Sequence, residues 1–177
     1  KQMPLSDTQI ENVNAGYANG LKDIILNKDK KLKDVLTAGG KYKDITDASF
    51  PLKQYIDSVY PGRPVVVDMW GTWCMPCMDA IARTEVLKKT LDSKDVVFLY
   101  VATDTTPLDE WYRKAPEIDG EHIRISSEAA GEIAKEFGLT AFPSYLFFNA
   151  SHELLKSYSY FPGVKIYEDL VKDMAKH

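Results

Sequence analysis

The sequence predicts an α/β fold in which a central mixed β-sheet is flanked by helices. Near-continuous apolar runs at residues 64–73 and 95–102 are typical of strands covered on both faces, and a helical pattern follows each of them. A hairpin at residues 144–149 and 153–158 and a helix at 163–175 then close the chain. Strands that alternate with helices and end in a hairpin indicate a mixed sheet between helical layers.

The remaining elements of the sheet domain, which we place at residues 56–177, are bounded by turn and capping residues. Helices are predicted at 78–91, 108–115 and 127–137, and a short extra strand is predicted at 122–125. Pro107 suits the first turn of the second helix, where a missing N–H costs little. The third helix has apolar residues at helical spacing and ends at Gly138.

Residues 1–55 are predicted to form a helical N-terminal extension. Ser6 to Gln9 form a capping box, and apolar residues at helical spacing follow it. A second, highly charged helix is predicted at 28–36 and a short third one at 52–59. Because this region is too small to bury a core of its own, we expect it to pack on the sheet domain or to be the end of a longer upstream region.

The composition is that of a globular chain, since 45% of the 177 residues are hydrophobic. A net charge of −4 with scattered Lys and Arg argues against nucleic acid as a partner. No apolar stretch is long enough to span a membrane. The chain begins at Lys1 without a signal peptide, so we expect a mature chain that lacks its signal, and we expect no cofactor.

The only two cysteines, Cys74 and Cys77, form one Cys-x-x-Cys motif between a predicted strand and a predicted helix. In that context the motif indicates thiol–disulfide exchange. Cys74 falls at the first helical turn, where backbone N–H groups and the helix dipole lower a thiol pKa from about 8.5 to roughly 3.5–7.5. Pro76 fits the same turn. We therefore expect Cys74 to be the nucleophile and Cys77 the resolving thiol.

Two other uses of a cysteine pair are less consistent with the sequence. A zinc site needs further ligands, and the three histidines, His122, His152 and His177, lack paired spacing, so no metal is expected. A purely structural disulfide across two residues closes a very small loop and would stabilise little. No Lys, Arg or His lies between the cysteines to stabilise a thiolate further, which favours a reducing or intermediate redox couple.

Residues 65–77 resemble the active-site segment of the TlpA/ResA-like thiol–disulfide oxidoreductases, which have a thioredoxin-like fold. A second segment, residues 137–148, is similar to the one that carries the cis-proline of that family. The resemblance implies a cis bond between Phe142 and Pro143, with Pro143 aligning an incoming peptide beside the disulfide. Phe142 departs from the smaller aliphatic residue usual in the family, so we expect its ring to narrow or reshape substrate access.

The resemblance also implies a location and partners. It places the protein in a bacterial cell envelope, typically the periplasm. The expected partners are protein thiols and disulfides of exported proteins, together with a redox partner that regenerates the site.

Asp68 is a lone carboxylate within an apolar run, so we expect it to be buried with a raised pKa. Such a group can take the proton of Cys77 during resolution, through a water. Two alternatives remain open: Asp68 faces solvent at a strand end, or Asp79 takes its place. Family members often carry a glutamate just after the second cysteine, where this chain has Met78 and Asp79.

Apolar side chains around the motif are predicted to form a docking rim for a partner protein. Met75 and Met78 are its candidate members, although ordinary coverage of the helix start would explain them equally. Trp70 and Trp73 are expected to shape and desolvate the surface around Cys74, with packing at the strand end as the alternative, and Trp73 is also a candidate substrate contact. We therefore predict a protein disulfide oxidoreductase that acts in the reducing or isomerising direction. One alternative is a peroxiredoxin-like thiol peroxidase, whose Pro-x-x-x-Thr/Ser-x-x-Cys pattern this segment does not match. The other is a non-catalytic docking module with a thioredoxin-like fold.

Overall fold

The computed structural model describes residues 41–46, 49–91 and 93–174. The chain divides into two compact units, residues 1–39 and 40–177, and the described residues belong to the second. The two helices predicted before residue 37 lie outside the described residues.

The second unit contains six strands and five helices among the described residues. The strands are β1 (Tyr42–Ile45), β2 (Val65–Trp70), β3 (Val97–Thr103), β4 (Glu121–Ile125), β5 (Ser144–Phe148) and β6 (Leu154–Tyr158). The helices are α1 (Leu52–Val59), α2 (Met75–Lys88), α3 (Leu108–Lys114), α4 (Ser127–Phe137) and α5 (Val164–Met174), and a short 3-10 helix, Ala115–Glu117, follows α3. Over the described ranges, no helix combines the length and apolar character that a membrane crossing requires.

The strands form one mixed sheet in the order β1-β4-β3-β2-β5-β6. The first four strands in this order, β1, β4, β3 and β2, are parallel to one another. Strand β5 is antiparallel to both of its neighbours, β2 and β6. This arrangement confirms the predicted mixed sheet flanked by helices. Strand β1 was not predicted, because it is a short edge strand without an apolar run. It pairs with β4, and the boundary predicted after residue 55 falls inside α1.

Strand β2 is at the centre of the core, and all six of its residues are buried. Successive side chains of a strand point to opposite faces of the sheet. Val65 and Val67 lie in the cluster that contains Leu52 and Ile56 of α1. On the opposite face, the cluster around Val66 contains residues of α2 and α5. Because Asp68 has the same parity as Val66, it points towards the face that α2 and α5 cover.

Candidate active site

The two cysteines form a disulfide at the N-terminus of α2, with an S–S distance of 2.08 Å. Cys74 is the N-cap residue, and its sulfur accepts a hydrogen bond from the backbone N–H of Cys77 at 3.2 Å. The first turn of α2 contains no acidic side chain. After reduction, a thiolate at Cys74 would therefore face a backbone donor and the positive end of a helix dipole.

The two sulfurs differ in access to solvent. Cys74 keeps 4% of its surface exposed, whereas Cys77 has none. Pro76 lies in the first turn of α2 and is exposed, as is Met75 at 75%. A partner molecule that approaches this end of α2 can reach Cys74 but not Cys77, which fits the roles predicted for the two thiols.

The loop that carries Pro143 lies against the Cys-x-x-Cys segment. The Phe142–Pro143 peptide bond is cis, as the resemblance implied. The Phe142 ring stacks on Trp73, with ring centroids 5.9 Å apart and 30° between the ring planes. Trp73 is 54% exposed. The bulky side chain at position 142 therefore covers one side of the tryptophan next to the nucleophile.

An apolar groove of about 360 Å³ lies next to this aromatic pair. Trp73 and Phe142 line one part of it, and Ala130 and Ala134 of α4 line another. Gly131 also borders the groove, and a Cβ atom added there would contact nothing within 4 Å. There is thus open space beside Gly131, and the groove also reaches the exposed Trp73 ring.

Residues distant in sequence hold the loop before Cys74 in place. The Trp73 indole N–H donates to Thr105 Oγ1 at 3.1 Å, and the Thr72 backbone N–H donates to Thr106 Oγ1 at 3.3 Å. The Thr72 hydroxyl also donates to a carboxylate oxygen of Glu110 at 2.6 Å. The sequence does not point to Thr105, Thr106 and Glu110, because they lie more than thirty positions from their partners and no motif marks them.

Asp68 is buried in β2 with only 3% of its surface exposed. Neither carboxylate oxygen has a hydrogen-bond partner among the described residues. Burial raises the pKa of Asp68 to about 8, although the Lys88 ammonium and the Tyr145 hydroxyl oppose this shift in part. The carboxylate therefore does not face solvent. Asp79, the other candidate, is exposed and pairs with Arg83 at 3.0 Å on the surface of α2.

The described histidines have structural partners. His122 is buried and its Nε2 lies 2.9 Å from the Ile118 carbonyl oxygen. His152 lies 2.8 Å from an Asp57 carboxylate oxygen and 3.0 Å from the Tyr60 carbonyl oxygen. Within the described ranges, no group of three or more His, Cys, Asp or Glu side chains is arranged to hold a metal ion.

Comparisons with known proteins place this geometry in a family. The family model described as Redoxin matches residues 37–169. An uncharacterized protein of Haemophilus influenzae is 27% identical over 121 residues, which cover 65% of this chain and 72% of that protein.

Several solved structures of other proteins share the fold of this chain. A thiol:disulfide interchange protein of the thioredoxin family from Chlorobium tepidum has a TM-score of 0.56 at 21% identity, and the match covers 67% of this chain and 83% of that one. A secreted thiol-disulfide isomerase from Corynebacterium glutamicum has a TM-score of 0.55 at 14% identity, over 67% and 74% of the two chains. At these identities the two structures establish the fold alone.

The predicted thioredoxin-like fold is thus confirmed. The Cys-x-x-Cys pair lies at the start of a helix, next to a cis-proline loop. Because the matching model spans most of the sequence, the chain belongs to the Redoxin family, as a thioredoxin-like oxidoreductase with a Cys74–Cys77 pair.

Proposed function

We propose that the protein reduces or isomerises disulfides of exported proteins in a bacterial cell envelope, typically the periplasm. The observation that carries the proposal is the disulfide at the N-terminus of α2, with a cis-proline loop beside it and a buried carboxylate on the sheet face that α2 covers. The location rests on the resemblance, and a secreted isomerase among the similar structures supports it.

In the reducing direction, the Cys74 thiolate attacks one sulfur of a target disulfide. A bond forms between Cys74 and that sulfur, the target S–S bond breaks, and the other target sulfur leaves as a thiolate that takes a proton from solvent. Cys77 then loses its proton and attacks the Cys74 sulfur. This step forms the Cys74–Cys77 bond and releases the target as a dithiol. Two electrons pass to the target, and a dithiol donor restores them.

Asp68 is the proposed base of the second step. It accepts the proton of the Cys77 thiol, directly or through one water, and later returns it to solvent. Asp68 lies under α2, the helix that carries Cys77, on the sheet face that it shares with Val66. With its pKa raised to about 8, the carboxylate becomes a competent base as the pH approaches that value. The resolving step is thus expected to accelerate as the pH rises towards 8.

The target polypeptide is proposed to bind at the aromatic rim. Trp73, Met75 and Phe142 form this rim, and Pro143 leaves the adjacent backbone free to bond an extended peptide as an extra strand. Trp73 and Met75 are exposed and Phe142 is half-buried, so the rim offers apolar surface to apolar segments of a protein that has not folded completely.

The direction of exchange depends on the reduction potential of the pair. The backbone N–H of Cys77 faces the Cys74 sulfur and would stabilise its thiolate after reduction, but no cationic side chain lies between the cysteines. A potential nearer to thioredoxin, at about −270 mV, than to strong oxidants at about −120 mV would support the reducing direction. Equilibration with glutathione or dithiothreitol measures this potential. A strongly oxidising value would reverse the proposed direction.

The proposal is tested by reduction of insulin disulfides with dithiothreitol as the donor. The wild-type protein is expected to accelerate the reaction, and Cys74→Ser is expected to abolish the acceleration. The matched variant Cys77→Ser keeps the nucleophile, so it is expected to accumulate a mixed disulfide with the target instead of releasing it. Activity that survives in Cys74→Ser would overturn the assignment. Peroxide consumption by the reduced protein would favour the thiol peroxidase alternative.

A further inference from the structure

A single row of residues, in direct register, crosses all six strands on the α2 and α5 face of the sheet. Consecutive members of the row are paired across neighbouring strands, in the order Tyr42, His122, Tyr100, Asp68, Tyr145 and Tyr158. Asp68 is therefore flanked by a tyrosine on each side. Side chains directly opposite one another in a sheet are close enough to interact.

The two flanking hydroxyl groups are in different situations. The Tyr100 hydroxyl accepts a hydrogen bond from Lys88 Nζ at 3.0 Å and donates to a Glu85 carboxylate oxygen at 3.4 Å. The Tyr145 hydroxyl is fully buried and has no hydrogen-bond partner among the described residues. A buried hydroxyl without a partner is costly, unless another state of the protein gives it one.

Other titratable groups lie on this face. Tyr167 of α5 and Lys88 of α2 interact electrostatically with Asp68, and Glu85 and Cys77 also belong to α2. Lys88 forms an ion pair with Glu85, so part of its charge is already compensated. The Tyr145 hydroxyl, in contrast, has no partner among the described residues, and Tyr145 is paired in register with Asp68.

We propose that Tyr145 is a positioning residue for the proton step, whose hydroxyl donates a hydrogen bond to the Asp68 carboxylate when that carboxylate is ionised. The inference rests on the proposed function, because it assigns a partner to the proposed base. The proton of the Cys77 thiol goes to one Asp68 oxygen, while Tyr145 keeps its own proton throughout. A protonated Asp68 is uncharged and accepts the hydrogen bond less strongly, so the Tyr145 hydroxyl favours the ionised carboxylate.

The electrostatics agree with this role. The Tyr145 hydroxyl lowers the pKa of Asp68, and burial together with the Asp68 charge raises the pKa of Tyr145 well above its ordinary value. Tyr145 thus stays protonated and remains a donor over the working range of pH. Without the hydroxyl, Asp68 would bind its proton more tightly and act as a base only at higher pH.

The test compares Tyr145→Phe with the matched control Tyr100→Phe. Both changes remove one hydroxyl from a tyrosine that flanks Asp68, but only the first removes a hydroxyl without a partner. The titration of Asp68 is followed by carbon NMR of the carboxyl group, and the pH profile of target release is followed in single turnovers. For Tyr145→Phe, both midpoints are expected to rise by about one pH unit, which slows release about tenfold at pH 7. For Tyr100→Phe the expected shift is smaller.

The outcomes separate this inference from the proposed function. An unchanged Asp68 midpoint in a folded Tyr145→Phe protein, or an equal shift in both variants, would overturn the role of Tyr145. Neither result would affect insulin reduction by the wild-type protein. Absence of disulfide exchange in the wild type would instead remove the proposed function, while the NMR titration would still report whether the hydroxyl meets the carboxylate.

Discussion

Asp68 and His122 are two buried ionisable side chains in the same row of the sheet, separated by Tyr100. Burial disfavours the charged form of both. It raises the pKa of Asp68 to about 8 and lowers that of His122 to about 4. The same physical cause therefore brings the pKa of the acid closer to neutral pH and takes the pKa of the histidine further from it.

The surroundings of the two side chains match this difference. The His122 ring lies between the rings of Tyr42 and Tyr100, and its centroid is 5.2 Å from each of theirs. Its Nε2 forms a hydrogen bond with the Ile118 carbonyl oxygen. It is neutral at pH 7 and has a packing role. Asp68 has no fixed partner and titrates near neutral pH, which suits proton transfer. Burial therefore creates a usable base only where it shifts the pKa of a side chain towards the working pH.

The comparison is most severely tested by Asp68→Asn, which removes the base and nearly preserves its shape. Target release by Cys77 is expected to slow at least about 100-fold at pH 8 and to lose its pH dependence, because no carboxylate accepts the thiol proton. Attack by Cys74 is expected to be nearly unchanged. Stopped-flow measurements of mixed-disulfide formation and decay separate the two steps. Release at the wild-type rate would show that Asp68 is not the base.

The same variant is expected to be more stable than the wild type at high pH. The pKa of Asp68 is raised in the folded state, so its contribution to stability is fully present below about pH 4 and is lost as the pH rises to about 8. Each unit of pKa shift corresponds to about 1.4 kcal/mol. The free energy of unfolding of Asp68→Asn should therefore exceed that of the wild type by several kcal/mol at pH 8, and by almost nothing at pH 4. Urea unfolding of the disulfide form at both pH values measures this difference. Equal stabilities at pH 8 would mean that burial does not penalise the Asp68 charge.

Much of the site was predictable because its signals are local. The Cys-x-x-Cys spacing, the lone carboxylate in an apolar strand and the Phe142–Pro143 pair are each visible within a few residues. The same holds for the helices and strands after residue 56, whose periodicity depends on neighbours in the chain. These features accounted for both cysteines and for the burial of Asp68, whereas the cis bond was implied by the resemblance to the TlpA/ResA-like family.

The features that were missed depend on contacts between distant segments. Strand β1 has no apolar run of its own and exists because β4 offers it an edge. The tyrosines that flank Asp68 are set by strand register, which the sequence alone does not fix. Glu110 belongs to the site only because α3 folds back onto the loop before Cys74. Local patterns therefore identified the reacting groups, but not the residues that hold and tune them.

The other half of the comparison is tested by His122→Phe, which keeps an aromatic ring between Tyr42 and Tyr100. The pKa of His122 is lowered in the folded state, so its contribution to stability is present above about pH 6.5 and is lost as the pH falls to about 4. Between these pH values the wild type is expected to lose about 3 kcal/mol of stability through His122. The variant has no histidine at this position and should not show that loss. At pH 7 the variant should lose about 1 kcal/mol, because the Ile118 carbonyl loses its donor, while disulfide exchange keeps its wild-type rate.

As the pH falls over the same range, the contribution of Asp68 to the stability of the protein increases while that of His122 decreases. The two changes partly cancel in the wild type. The measurement is therefore made in an Asp68→Asn background, by comparing the urea unfolding of that variant with the double variant Asp68→Asn, His122→Phe. We expect the single variant to lose stability between pH 7 and 4, and the double variant to lose about 3 kcal/mol less. An identical loss in both proteins would show that His122 does not titrate as a buried neutral group. An effect of His122→Phe on the pH profile of target release would show that the packing histidine also takes part in the proton step.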